Sequence, residues 1–178
     1  MGMAVKCFRS TWIFGAALAL LPTMVWSAAN VTVNFQGSFV TPTCNFSVNG
    51  GNSTNIGTYP YTYFDTNTST PAVQIPIVAT GCTTGINTIH LGFSGAADSS
   101  NSQLFAVNRG SGVTGVAIEL LYNAQSTRIQ PGSTVNWAGV DPGRPTNTWN
   151  FWARFYKTTG AMGAGSINVP ITIQFTYN

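Results

Sequence analysis

Hydrophobic and polar residues alternate with a period of two along most of the chain, and past the first thirty residues no helical period competes with it. Ile167 to Tyr177 carries the clearest stretch. Val169, Ile171, Ile173, Phe175 and Tyr177 fall on one face, opposite Pro170, Thr172, Gln174 and Thr176. Val73 to Thr80, Asn87 to Phe93, Gly115 to Tyr122 and Trp149 to Lys157 read as further strands, with Val116, Ile118 and Leu120 sharing a face. Pro76 within the first of these points to an edge or irregular position, because proline cannot donate to a ladder. Between the strands lie turn-rich connections at residues 49–55, 65–71, 96–102 and 141–148. Several short strands at this spacing predict a β-sandwich, with no internal repeat and no linker that would divide it.

The segment Asn30 to Val40 also alternates. Val31, Val33, Phe35, Gly37 and Phe39 share one face, and Thr32, Asn34, Gln36 and Ser38 the other. Thr41-Pro42-Thr43 interrupts the pattern, and a second strand restarts at Cys44. Two strand-like units therefore stand in tandem where a sandwich needs one. A free tail has no use for a clean apolar face; such a face asks for a groove, and the groove can belong to another molecule. The simpler alternative is a first strand paired within its own domain.

The opening residues have a different character. Lys6 and Arg9 precede an apolar run from Thr11 to Leu21, shorter than a bilayer span, and Ser27-Ala28-Ala29 supplies small residues of the kind a signal peptidase reads. Residues 1–29 are expected to be a leader, removed after Ala29, with Ala28 as a second position. Cys7 would leave with it. The remaining cysteines, Cys44 and Cys82, would then form one disulfide in an exported protein, worth roughly 4 kcal/mol in the chain-entropy model.

Charge excludes some partners. The chain after the leader holds Arg109, Arg128, Arg144, Arg154 and Lys157 against Asp65, Asp98, Glu119 and Asp141, a balance too even for a nucleic-acid or anionic-membrane footprint. Chemistry is equally sparse. Gly110-Ser111-Gly112-Val113-Thr114-Gly115 fits a dinucleotide fingerprint, but a strand pattern follows it where a helix would be required, so it reads as a turn. His90, the single histidine, lies in a strand pattern with no second histidine and no cysteine nearby, which leaves no metal set and no hydrolase triad. The four carboxylates are scattered and are expected to be solvated rather than paired for glycoside hydrolysis. No catalytic residue, metal or cofactor is expected.

Taken in order, these features resemble the subunits of chaperone–usher pili, the type 1 and P pilus family. The resemblance rests on a leader followed at once by the alternating segment Asn34-Phe35-Gln36-Gly37, on Cys44 shortly after, and on Cys82 closing the strand that begins at Val73. It also rests on Phe151-Trp152-Ala153-Arg154-Phe155-Tyr156, on Gly165 fourteenth from the end, and on a final alternating strand with Tyr177 next to last. The resemblance implies an immunoglobulin-like sandwich lacking its last strand: residues 1–29 a leader, 30–43 a donor-strand extension and 44–178 the pilin domain. It implies that Gly165, Val169, Ile171, Ile173, Phe175 and Tyr177 border an open groove. A periplasmic chaperone would fill that groove and hold the carboxylate of Asn178. At the outer-membrane usher, the extension of the next subunit, running antiparallel, would replace it. Partners would then be the chaperone, the usher, neighbouring pilins and, through the assembled pilus, a host surface. The aromatic run Tyr59-Pro60-Tyr61-Thr62-Tyr63-Phe64 suggests a minor or adaptor subunit rather than a main shaft subunit.

A secreted carbohydrate-binding module or adhesin is the rival reading, with Tyr59, Tyr61, Tyr63, Trp149 or Trp152 stacking on sugar rings. Two-domain adhesins of the resembled family are about twice this long. Core packing or a strand face is the expected use of the two tryptophans.

Burying Val31, Val33, Phe35 and Phe39 would contribute roughly 6–12 kcal/mol as an upper bound, comparable to the stability of a whole small domain. Phe35→Asp, or a bulky residue in place of Gly37, should therefore block incorporation into fibres and leave periplasmic folding intact. Electron microscopy of cells together with periplasmic levels of the variant checks this; normal fibres from either variant would contradict it.

Overall fold

The computed structural model describes Gln36, residues 43–107 and residues 112–177. The chain divides into two units, Met1–Ser38 and Phe39–Asn178, and the account that follows concerns the second. It is an all-β domain of two antiparallel sheets. In chain order the strands are β1 (Asn45–Val48), β2 (Val73–Thr80), β3 (Thr88–Ser94), β4 (Val116–Tyr122), β5 (Thr127–Ile129), β6 (Thr134–Ala138), β7 (Thr146–Lys157) and β8 (Thr172–Tyr177). Five strands form one sheet in the order β1-β2-β7-β4-β5, and three form the other in the order β6-β3-β8. The alternation predicted a β-sandwich, and this is the incomplete immunoglobulin-like form of it that the resemblance implied.

The core lies between the inner faces. β2 contributes Ile75, Ile77 and Ala79, β3 Ile89, Leu91 and Phe93, β4 Ile118 and Leu120, and β7 Phe151 and Ala153. Each set is spaced by two, as side chains alternate across a pleat. The Phe93 ring meets Phe151 edge-on, with centroids 5.7 Å apart, joining the two sheets at mid-core. The Cys44–Cys82 disulfide ties the start of β1 to the residues just after β2.

Several boundaries differ from the sequence reading, for local reasons. Pro76 lies in β2 past the end of β1, whose pairing stops at Val48 opposite Ile77. There β2 is an edge on that side, a setting that tolerates proline. β5 and β6, three and five residues long, were too short for their alternation to stand out. Gly112 and Gly115 have φ of 77° and 75°, and β4 follows them, so the glycine-rich stretch leads into a strand as expected. β8 is shorter than the alternation suggested. It pairs with β3 only from Thr172 opposite Ser94. β3 ends at Ser94, and at Gly95 a Cβ would lie 2.8 Å from the Phe105 ring, so any side chain would clash. Val169, Ile171 and Pro170 therefore precede the paired strand.

β4 was expected to show one apolar face, and it is buried on both. Ile118 and Leu120 face the core, while Ala117, Glu119 and Leu121 face outward under β7 residues at the same register. Glu119 corrects the expectation of a solvated carboxylate: it is 1% exposed. Its Oε2 accepts from Nε of Arg154 on β7 at 2.6 Å, and its Oε1 accepts from Nε of Arg128 on β5 at 2.7 Å. Arg128 also donates from Nη1 to Gln103 Oε1 at 2.7 Å and lies over the Tyr156 ring, 5.5 Å from its centroid. One carboxylate thus joins three adjacent strands, with a surplus positive charge held by two partly exposed arginines.

Glu119→Ala would leave both arginines side by side without a counter-charge. A loss of about 3 kcal/mol is expected, the lower end for a broken buried pair because the arginines keep some contact with water. The urea midpoint at unchanged m-value reads this directly; an unchanged midpoint would contradict it.

Candidate functional site

The strand β8 closes one side of the sandwich incompletely. Among the described residues it hydrogen-bonds to β3 alone, leaving its other edge without a strand. Its apolar face records the consequence. Ile89, Leu91 and Phe93 of β3 are essentially inaccessible. Ile173, Phe175 and Tyr177 of β8, and Ile167, Val169 and Ile171 before it, pack against the same core yet are only half-buried. The alternation of half-buried and exposed positions runs unbroken from Ile167 to Tyr177, although hydrogen bonding to β3 begins at Thr172.

Between this face and the opposite sheet edge runs an open groove of about 870 Å³. Ile75, Ile118, Leu120, Phe151 and Ala153 form its floor. Val48 and the segment from Ser53 to Tyr59 form the far rim, and Gly163 to Ile173 the near one. Among the described residues no Asp, Glu, His, Lys or Arg lines it. Such a surface can bury apolar side chains and pair with an extended backbone, but it holds no general base or nucleophile set.

The two ends differ. At the C-terminal end of β8, the Phe46 ring stacks on Phe175 with centroids 4.1 Å apart and planes 7° apart, and lies 6.4 Å from Tyr177. This stack bridges the sheets and shuts that end. The Cys44–Cys82 disulfide stands beside it, supported by mutual bonds: the Thr43 N–H donates to Thr83 Oγ1 and the Thr83 N–H to the Thr43 carbonyl, both at 3.0 Å.

At the other end Tyr59, Tyr61, Phe64, Val113, Val116 and Met162 surround the opening. Tyr59 packs against Tyr63 at 5.2 Å and edge-on against Phe155 at 6.3 Å. The Lys157 ammonium donates to the Phe64 carbonyl at 2.7 Å, fixing the aromatic turn to β7. The aromatic run that suggested a minor or adaptor subunit thus has a structural task within the domain, shaping the groove mouth. Gly163 bridges to Thr114 here. A Cβ on it would meet the Gly112 carbonyl oxygen at 2.5 Å and Thr114 Oγ1 at 2.7 Å, so only glycine fits.

Of the residues singled out in the sequence, Gly165, Val169, Ile171 and Ile173 line the groove, and Phe175 and Tyr177 stand at its shut end. Cys44 and Cys82 are joined. Val31, Val33, Phe35, Gly37, Phe39 and Asn178 lie outside the described residues. The close backbone approach at Gly163 carried no signal in the sequence. The Phe46–Phe175 stack and the rim from Ser53 to Tyr59 carried no periodic signal. His90 lies on β3, its Nδ1 2.7 Å from Asn136 Oδ1 on β6, a cross-strand pair. Trp149 is half-buried against Phe151 and Tyr122, which removes it as an exposed sugar platform. Among the described residues no three His, Cys, Asp or Glu side chains cluster as metal ligands, and no helix is long and apolar enough to cross a membrane.

Comparison with known proteins gives the arrangement a family. The model of the family described as "Fimbrial protein" matches residues 33–178. The type-1 fimbrial protein, A chain, of Salmonella typhi is 35% identical over 173 residues, covering 93% of this chain and 92% of its own. Fimbrial subunit type 1 of Salmonella typhimurium is 32% identical over the same length and shares of the two chains. The crystal structure of the P pilus rod subunit PapA shares the fold, with a TM-score of 0.63 at 19% identity over 76% of this chain and 99% of that one. With this match over nearly the whole domain, the chain belongs to the fimbrial protein family and is a structural, non-enzymatic subunit of a cell-surface pilus.

Proposed function

We propose that this subunit polymerises by donor-strand exchange, its groove filled by the alternating segment 30–40 of a neighbouring subunit. The observation that carries the reading is the half-buried apolar face from Ile167 to Tyr177 beside an unpaired strand edge. A strand laid there gains backbone bonds to β8 and buries alternate side chains against the floor, as in other cases of strand addition. Val31, Val33, Phe35 and Phe39 supply apolar side chains at the required period, and Gly37 suits a point of close approach. Residues 1–29 are the leader, 30–43 the extension and 44–178 the domain that receives a strand.

Until a neighbour arrives, the exposed edge and groove would invite aggregation. A periplasmic chaperone strand occupies the groove in the interval, holding the carboxylate of Asn178, and the usher is the site of exchange. The acceptor groove and the donor segment lie in one chain, so each subunit both gives and receives. Such a head-to-tail contact does not close on itself and extends into a fibre.

Deleting Tyr177 and Asn178 should abolish co-purification with the chaperone, since it removes both the last groove residue and the terminal carboxylate. Ile171→Asp, which places a charge on the groove wall without touching β8 pairing, should do the same while secretion to the periplasm continues. An unaltered chaperone complex in both variants would overturn the reading.

A further inference from the structure

We infer that the groove mouth around Tyr61 is a seat for the body of a second copy of this chain, the copy whose leading segment fills the groove; this rests on the donor-strand reading above. Tyr61 is the large hydrophobic side chain that stands exposed among the described residues, at 58%. Its neighbours Tyr59 and Tyr63 are packed into the domain, so its exposure is not that of a loose loop. The turn that carries it is fastened on both sides: the Tyr63 N–H donates to the Pro60 carbonyl at 3.0 Å, and Asn67 Nδ2 to the Tyr63 carbonyl at 2.8 Å. A rigidly presented tyrosine beside an apolar opening has the composition of an interface anchor.

Two observations place the neighbour at this end. Every strand pairing in the domain is antiparallel, and a segment joining β8 antiparallel would end, C-terminally, beside Ile167 at the mouth. The opposite end is shut by the Phe46–Phe175 stack, leaving no opening there for a tethered domain to follow.

The connecting length then keeps the second body close. From Phe39, the last apolar residue of the alternating segment, five residue steps lead to Cys44, which the disulfide fixes to the body of its own domain. Five steps reach at most about 18 Å, less than the width of a domain of this size. The second body is thereby held within that distance of the mouth, with its disulfide-bearing end nearest to Tyr61. Tyr61 is thus assigned to the junction between successive subunits.

The test compares two states of the natural mature chain in which the groove is filled. In one, the chain is held as a monomer by excess synthetic peptide covering residues 30–40; in the other, it is assembled into fibres. Hydroxyl-radical footprinting read by mass spectrometry reports Tyr61 in each. Tyr61 should be reactive in the peptide-filled monomer and protected severalfold in the fibre. Equal reactivity in both states, or protection by the peptide alone, overturns the seat and leaves the donor-strand reading standing. A peptide that does not enter the groove, judged by unchanged reactivity at Ile171 and Ile173, overturns both.

Discussion

An apolar strand face needs cover, and that of β8 is only half covered, with β3 as its one strand partner among the described residues. The domain invests in this strand as in any core element. Its side chains alternate without interruption, they touch the main hydrophobic cluster, and Phe46 stacks on Phe175 to hold it against the opposite sheet. Yet the same strand leaves the core open to solvent along a groove with no charged lining among the described residues. An isolated protein gains nothing by this, since exposed apolar area and a bare edge both cost stability and invite aggregation. Under the proposed strand exchange, the missing free energy would become the free energy of assembly.

The rest of the fold holds the groove in shape while it waits. On the far side of the larger sheet, Glu119 draws Arg128 and Arg154 together across β4, β5 and β7. The disulfide and the aromatic stack fasten one end of the groove, and the Tyr59–Phe64 turn, tied by Lys157, frames the other. Rigidity of this kind would lower the ordering cost of receiving a strand in the proposed exchange, because the floor and both ends are already in place.

The sequence revealed those parts of the architecture that repeat. Alternation located β2 to the residue and β3, β4 and β7 to within a few positions, because each presents several core side chains in a row. It overextended β8, because alternation reports which face is apolar and not whether a neighbouring strand is there to pair; that depends on where β3 ends, at Ser94. Features set by single long-range contacts left no pattern to read. Glu119 looked like one scattered carboxylate until two arginines from other strands met it, and Gly163 is special only because Thr114 crosses beside it. The same holds for the aromatic run at residues 59–64, whose spacing gave no hint that Tyr59 packs inward while Tyr61 faces water.

The central claim is that the domain is one strand short, and equilibrium urea unfolding of the mature chain lacking residues 30–40 tests it most directly. Without added strand the transition should be weak or absent. Titration with a peptide of residues 30–40 should restore a cooperative transition, gaining about 2.7 kcal/mol when free peptide reaches a hundredfold over its Kd. A chain lacking those residues that unfolds cooperatively and reversibly on its own, with a midpoint indifferent to the peptide, would contradict the account.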